Sequence, residues 1–95
     1  MLQKFDEIEA KFERLTASMS DPEIIGDSAK FAKIAKERSS LEPVVETYRK
    51  YKQVETEVKG NEELLGEKDE ELRTMAKEEL ARLKPELEQL EGELK

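Results

Sequence analysis

The sequence contains no cysteine, no histidine and no tryptophan. Without cysteine there can be no disulfide and no thiolate metal site, which suits a reducing cytoplasm. Without histidine the commonest metal ligand and acid–base side chain is missing, so nucleophilic triads and the usual zinc sites are excluded. Glycine is scarce as well: Gly26, Gly60, Gly66 and Gly92 stand apart from one another, and no glycine-rich loop exists to cradle a phosphate. No apolar run exceeds three residues, so nothing spans a membrane, and the first residues do not make a signal peptide. β-Branched runs are too few to build a sheet.

What the chain has is charge. Asp, Glu, Lys and Arg make up 43% of its 95 residues and hydrophobic side chains only 36%. That balance fits helices with narrow buried stripes, in one small domain with a modest core. The net charge of −7 is unevenly spread: residues 1–30 carry four basic and seven acidic side chains, residues 31–59 seven and five, residues 60–95 six and twelve. The acidic ends repel a phosphate backbone and argue against direct nucleic-acid binding. A basic protein surface is the better electrostatic match.

The clearest pattern lies in residues 72–94. Leu72, Met75 or Ala76, Leu80, Leu83, Leu87, Leu90 and Leu94 step by three and four, laying six leucines on one stripe of a helix. Burying each leucine is worth roughly 1.5–3 kcal/mol, so stability here depends on what covers the stripe.

Taken in order, Leu2, Phe5, Ile8, Phe12, Leu15 and Met19 predict an amphipathic helix over 2–18. Asp21-Pro22-Glu23 then opens a short helical turn over 22–25, with Asp21 as N-cap and Pro22 at the first helical position. Gly26 interrupts it, and Asp27 or Ser28 caps a long helix over 28–65. Its stripe is Phe31, Ile34, Leu41, Val45, Tyr48, Tyr51, Val54, Val58 and Leu65, with Arg38 filling the turn between Ile34 and Leu41.

Pro43 and Pro85 fall inside predicted helices, where proline costs about 3 kcal/mol. The apolar step nevertheless keeps its phase across both, from Leu41 to Val45 and from Leu83 to Leu87, which predicts kinks without chain breaks. The true turn is Gly66 to Asp69, with Gly66 past one helix and Asp69 capping a last helix over 70–94. Asp69 with Arg73, Glu78 with Arg82 and Glu91 with Lys95 are spaced for i,i+4 ion pairs.

So short a turn makes antiparallel neighbours of the helices it joins. The leucine stripe is then covered by Tyr48, Tyr51, Val54, Val58 and Leu65, and the first helix packs near Phe31, Ile34 and Leu41. The expectation is an all-α, elongated antiparallel three-helix bundle with a long helical hairpin, monomeric. The alternative is a free-standing helical adaptor or coiled-coil chaperone that dimerises through the leucines.

Candidate chemistry is thin. Glu62-Glu63, Glu70-Glu71 and Glu78-Glu79 could hold a divalent cation in principle, but adjacent helical residues point about 100° apart and read as solvated faces. Tyr48 and Tyr51 with Arg49, Lys50 and Lys52 could form a stacking platform for a single strand. Their spacing matches the core stripe, which is the preferred reading. Met19 and Met75 read as gap-filling core. No catalytic, cofactor or metal residue is assigned, and no partner-contact residue can be named.

Four stretches carry a family likeness. They are the opening MLQKFDEIE, then Met19-Ser20-Asp21-Pro22-Glu23-Ile24-Ile25, then Phe31 to Glu37 continuing over Leu41 to Tyr48, and Glu71 to Leu80. In order and spacing the chain resembles the N-terminal helical domain of bacterial class I peptide chain release factors, closer to the branch that reads UAG and UAA. The resemblance implies a cytoplasmic role in translation termination and a domain reaching toward the stalk base of the large ribosomal subunit, where translational GTPases dock. It implies no catalysis here: there is no Gly-Gly pair for the Gly-Gly-Gln signature, and Pro22, Pro43 and Pro85 begin no Pro-x-Thr tripeptide. Lys95 falls within the helical period without a cap, so residues 1–95 are expected to form a single domain, the N-terminal part of a longer factor.

Overall fold

The computed structural model describes residues 2–95. The chain is all-α, in the order α1 (Leu2–Ser18), α2 (Pro22–Ile25), α3 (Ser28–Leu64) and α4 (Glu70–Glu93). Three long helices carry the packing and α2 is a single turn. Two ends fall one residue short of the sequence reading, at Leu64 and Glu93. Asp21 caps α2, its carboxylate accepting from the Glu23 amide at 2.9 Å. Of the two candidates for the next cap it is Asp27 that serves: Oδ1 accepts from the amides of Ala29 and Lys30, both at 3.2 Å.

Both internal prolines sit within continuous helices. Pro43 removes the donor that would bond the Ser39 carbonyl, and Pro85 does the same to Ala81. All four residues are exposed, so water can hydrate the freed carbonyls. That exposure is why the proline cost is tolerable and the apolar phase survives.

The chain forms two compact units, one ending at Glu46 and the other Thr47–Lys95. In the first, α1 packs on the early part of α3. Phe5, Phe12 and Val45 are buried, and Ile8, Leu15, Phe31, Ile34 and Leu41 are half-buried. Arg38 ties the two helices: its guanidinium lies 4.5 Å above the Phe12 ring, and its Nε donates to Thr16 Oγ1 at 2.7 Å. The Thr16 hydroxyl in turn donates to the Phe12 carbonyl at 2.9 Å, and Arg38 Nη1 donates to Glu42 Oε2 at 3.1 Å.

The second unit is a hairpin of the later part of α3 with α4. Its helices are antiparallel: Lys50 Nζ, past the middle of α3, lies 3.9 Å from Glu86 Oε1, while Glu57, two turns on, acts electrostatically on Arg82, one turn earlier in α4. Tyr48, Tyr51, Val54 and Val58 from α3 are buried with Ala76, Leu80, Leu83, Leu90 and Leu94. Leu83 is only 1% exposed, the most enclosed leucine of the stripe. Four of the six leucines, Leu80, Leu83, Leu90 and Leu94, are therefore buried within one chain, together with four of the five residues expected to cover them.

Three expectations for this core need correction. Ala76 is fully enclosed while Met75 is 56% exposed, because the core phase of α4 runs through Ala76, Leu80 and Leu83 and turns Met75 about 100° away. Leu65 is exposed because α3 stops at Leu64 and the stripe has no further turn to ride on. Leu72, expected as the first residue of the stripe, is exposed too.

Candidate functional site

Of the basic and aromatic cluster at residues 48–52, the two tyrosines are core and Arg49 and Lys50 lie on the surface. Tyr48 and Tyr51 are 3% and 6% exposed, with ring centroids 6.3 Å apart and planes 12° from parallel. Lys52 Nζ caps the Tyr48 ring at 4.7 Å, and the Tyr51 hydroxyl donates to Glu55 Oε2 at 3.0 Å. Desolvation raises the Tyr51 pKa above its ordinary value near 10.0, and the Glu55 carboxylate adds to the rise. Lys50 reaches across to Glu86. Neither ring face is open for a base to stack on, so the core reading of the sequence holds.

The paired glutamates at 62–63, 70–71 and 78–79 are all exposed. Among the described residues no group of three or more Asp or Glu side chains gathers at cation distance. Likewise no described helix is long and apolar enough to cross a membrane.

The end of the second unit's hairpin is where surface features collect. Asp69 caps α4, Oδ1 accepting from the amides of Glu71 and Leu72 at 2.9 and 3.4 Å. Arg73 does not pair with Asp69 as its spacing suggested. Its Nη1 donates instead to the Glu67 and Lys68 carbonyls, both at 2.8 Å, and so ties the turn to the first turns of α4. Every described residue keeps a negative φ, so Gly66 closes this turn without a left-handed backbone, its amide donating to the Glu63 carbonyl at 3.1 Å.

A shallow groove runs along this end, lined by Glu57, Gly60, Asn61, Leu64 and Glu79. Gly60 lines it without a side chain, and a Cβ there would meet nothing within 4 Å. Glu79 takes Arg82 as partner at 2.6 Å, with Glu86 3.9 Å from the same guanidinium. The expected Glu78–Arg82 pair is displaced by these two, and the hydrogen bond to Glu79 raises the Arg82 pKa further. Leu65, Leu72 and Met75 are the exposed large apolar side chains of this unit. Sequence reading had placed all three in the core; the one available signal was that Met75 and Ala76 compete for a single position on the stripe.

The surface features of the second unit are thus this groove and the exposed apolar side chains at the same end. Compared with known proteins, residues 8–95 match the PCRF domain family. The chain is 50% identical over all 95 of its residues to Peptide chain release factor 1 of Anaeromyxobacter sp. (strain Fw109-5). It is 46% identical over 97 aligned positions to Peptide chain release factor 1 of Alkaliphilus oremlandii (strain OhILAs). Over 95 residues it is 39% identical to that of Geobacter sulfurreducens. All of this chain is covered each time, but only 26–27% of the relative, so the chain spans about a quarter of these proteins' length. No solved structure matches it.

Proposed function

Because the chain belongs to the PCRF domain family, we propose that it is the N-terminal helical domain, residues 1–95, of a longer peptide chain release factor and serves translation termination in the cytoplasm as a docking module. The observation that carries this reading is 50% identity across the entire chain to proteins named Peptide chain release factor 1. On that reading the whole factor acts at UAG and UAA codons. The domain itself is non-catalytic and contacts the stalk-base region of the large ribosomal subunit, with a translational GTPase as a further partner.

Charge supports a protein partner over direct base reading. Twelve acidic against six basic side chains in residues 60–95 favour a basic protein surface and disfavour a phosphate backbone. The leucine stripe buried within a single chain supports a monomer.

Two measurements test the reading. Ribosomes halted at a UAG or UAA codon with labelled peptidyl-tRNA are mixed with the 95-residue chain, and no release above the buffer rate is expected; release would overturn the non-catalytic assignment. Purified large subunits should co-sediment the chain with an affinity that falls as salt rises. If the chain stays in the supernatant at low salt, the docking assignment is wrong.

A further inference from the structure

In the second unit, exposed apolar side chains and the densest acidity of the chain coincide. Leu65 lies in the turn, and Leu72 and Met75 lie in the first two turns of α4. Glu79 lines the groove, and Met75 lies one helical turn before it on the same side of α4, as Gly60 and Leu64 share a side of α3. Residues 57–79 hold nine acidic and four basic side chains, a net −5 of the whole chain's −7.

A scattered exposed leucine is ordinary, but here Met75, 56% exposed, and Leu65 and Leu72, 37% and 36% exposed, fall at one end of a hairpin that also carries an open groove. We propose that this end is a docking surface for a lysine- or arginine-bearing amphipathic segment of a protein partner, with Leu65, Leu72 and Met75 taking its apolar residues. On the docking reading above, this is the surface that meets the partner. A basic side chain lies in the groove at the Gly60 notch, its aliphatic stem along Leu64 and its charge toward Glu57 and Glu79. Glu79 is hydrogen-bonded to Arg82 and Glu57 acts on the same guanidinium at longer range, so the incoming charge shares both carboxylates with Arg82. The same acidity excludes the other natural occupant, a second copy of this chain, because two such ends repel.

The probe is an amphipathic lysine–leucine helix of about 16 residues, titrated at about 0.15 M salt into the isotope-labelled chain and followed by amide shifts. Shifts are expected at Gly60, Asn61, Leu65, Leu72, Met75 and Glu79. Gly60→Gln, whose Cβ would meet nothing within 4 Å and whose amide would occupy the groove, and Met75→Ser should each weaken binding by roughly tenfold. Ile25→Ser, which alters an equally exposed residue of the first unit, should leave it unchanged. A lysine–serine peptide of the same charge should bind roughly tenfold more weakly. Equal binding of the two peptides, undiminished binding by both groove variants, or shifts spread over the acidic surface would each overturn the proposal. These outcomes do not depend on the large subunit, so failure of the ribosomal reading remains separately visible in co-sedimentation.

Discussion

The Arg38 guanidinium lies 4.5 Å above the Phe12 ring while its Nε bonds Thr16 one turn further along α1. One side chain of α3 thereby holds both an aromatic face and a hydroxyl of α1. The ion pair with Glu42 adds little, since both groups are part-exposed on one helix. The contacts that matter are those reaching 22 and 26 residues back along the chain.

Arg38→Ala should lower stability by about 1–2 kcal/mol, the sum of a partly solvated cation–π contact and one hydrogen bond. Arg38→Lys should recover only part, because an ammonium cannot cover the ring and hold Thr16 in the same fork. In a urea-denaturation cycle, Arg38→Ala and Thr16→Val should couple by about 0.5–1 kcal/mol. Strict additivity would show that the hydrogen bond contributes nothing.

Leu83, near the middle of α4, is the most enclosed leucine of its unit, which makes it the sharpest probe of how the stripe is covered. Leu83→Ala should cost about 2–5 kcal/mol, and Leu83→Asp, which buries an unpaired carboxylate, should unfold the unit. Circular dichroism and light scattering across a dilution series give the readout. A folded, monomeric Leu83→Asp chain would mean that the leucines face a second molecule and not α3.

The helices were legible because the three-and-four step of Phe5, Ile8, Phe12 and Leu15, and again of Leu80, Leu83, Leu87 and Leu90, has one geometric meaning. Phase also settled the prolines: Leu41 to Val45 keeps its step, and α3 runs through Pro43. Arg38 was seen only as filler, because its value lies in Phe12 and Thr16, which local periodicity does not connect to it. The partner of Arg82 was misread for another reason. Glu78, Glu79 and Glu86 are all within helical reach, and pairs on an exposed surface differ by only tenths of a kcal/mol. The hairpin end was hidden by a choice between neighbours, since Met75 and Ala76 satisfy the stripe equally well in sequence and the fold admits one.

Gly60 lies within α3, and a Cβ there would meet nothing within 4 Å. Gly60→Ala should therefore raise stability by about 0.5–1 kcal/mol, chiefly by narrowing the unfolded ensemble. Gly92→Ala has the same open space but sits beside the last residue of α4, where helical order counts for less, so its gain should be smaller. Thermal melts of the two variants should rank Gly60→Ala above Gly92→Ala; a loss at Gly60 would contradict the open space around it.

Tyr51 links packing to pH. Burial and the Glu55 carboxylate hold its pKa above the ordinary value near 10.0, so the folded chain keeps the phenolic proton after the unfolded chain has lost it. In that window the unfolded state binds fewer protons, and stability falls with rising pH. The contribution is complete below about pH 10 and is lost as pH climbs through the folded value. Alkaline pH acts on more than this one group, so the comparison must be with Tyr51→Phe, which keeps the ring and removes the proton. Tyr51→Phe should cost at most about 1 kcal/mol at neutral pH, for the hydrogen bond to Glu55. Between about pH 9 and 11.5 its urea midpoint should fall less steeply than that of the parent chain. Parallel slopes would show that the Tyr51 proton is no more tightly held in the folded chain than in the unfolded one.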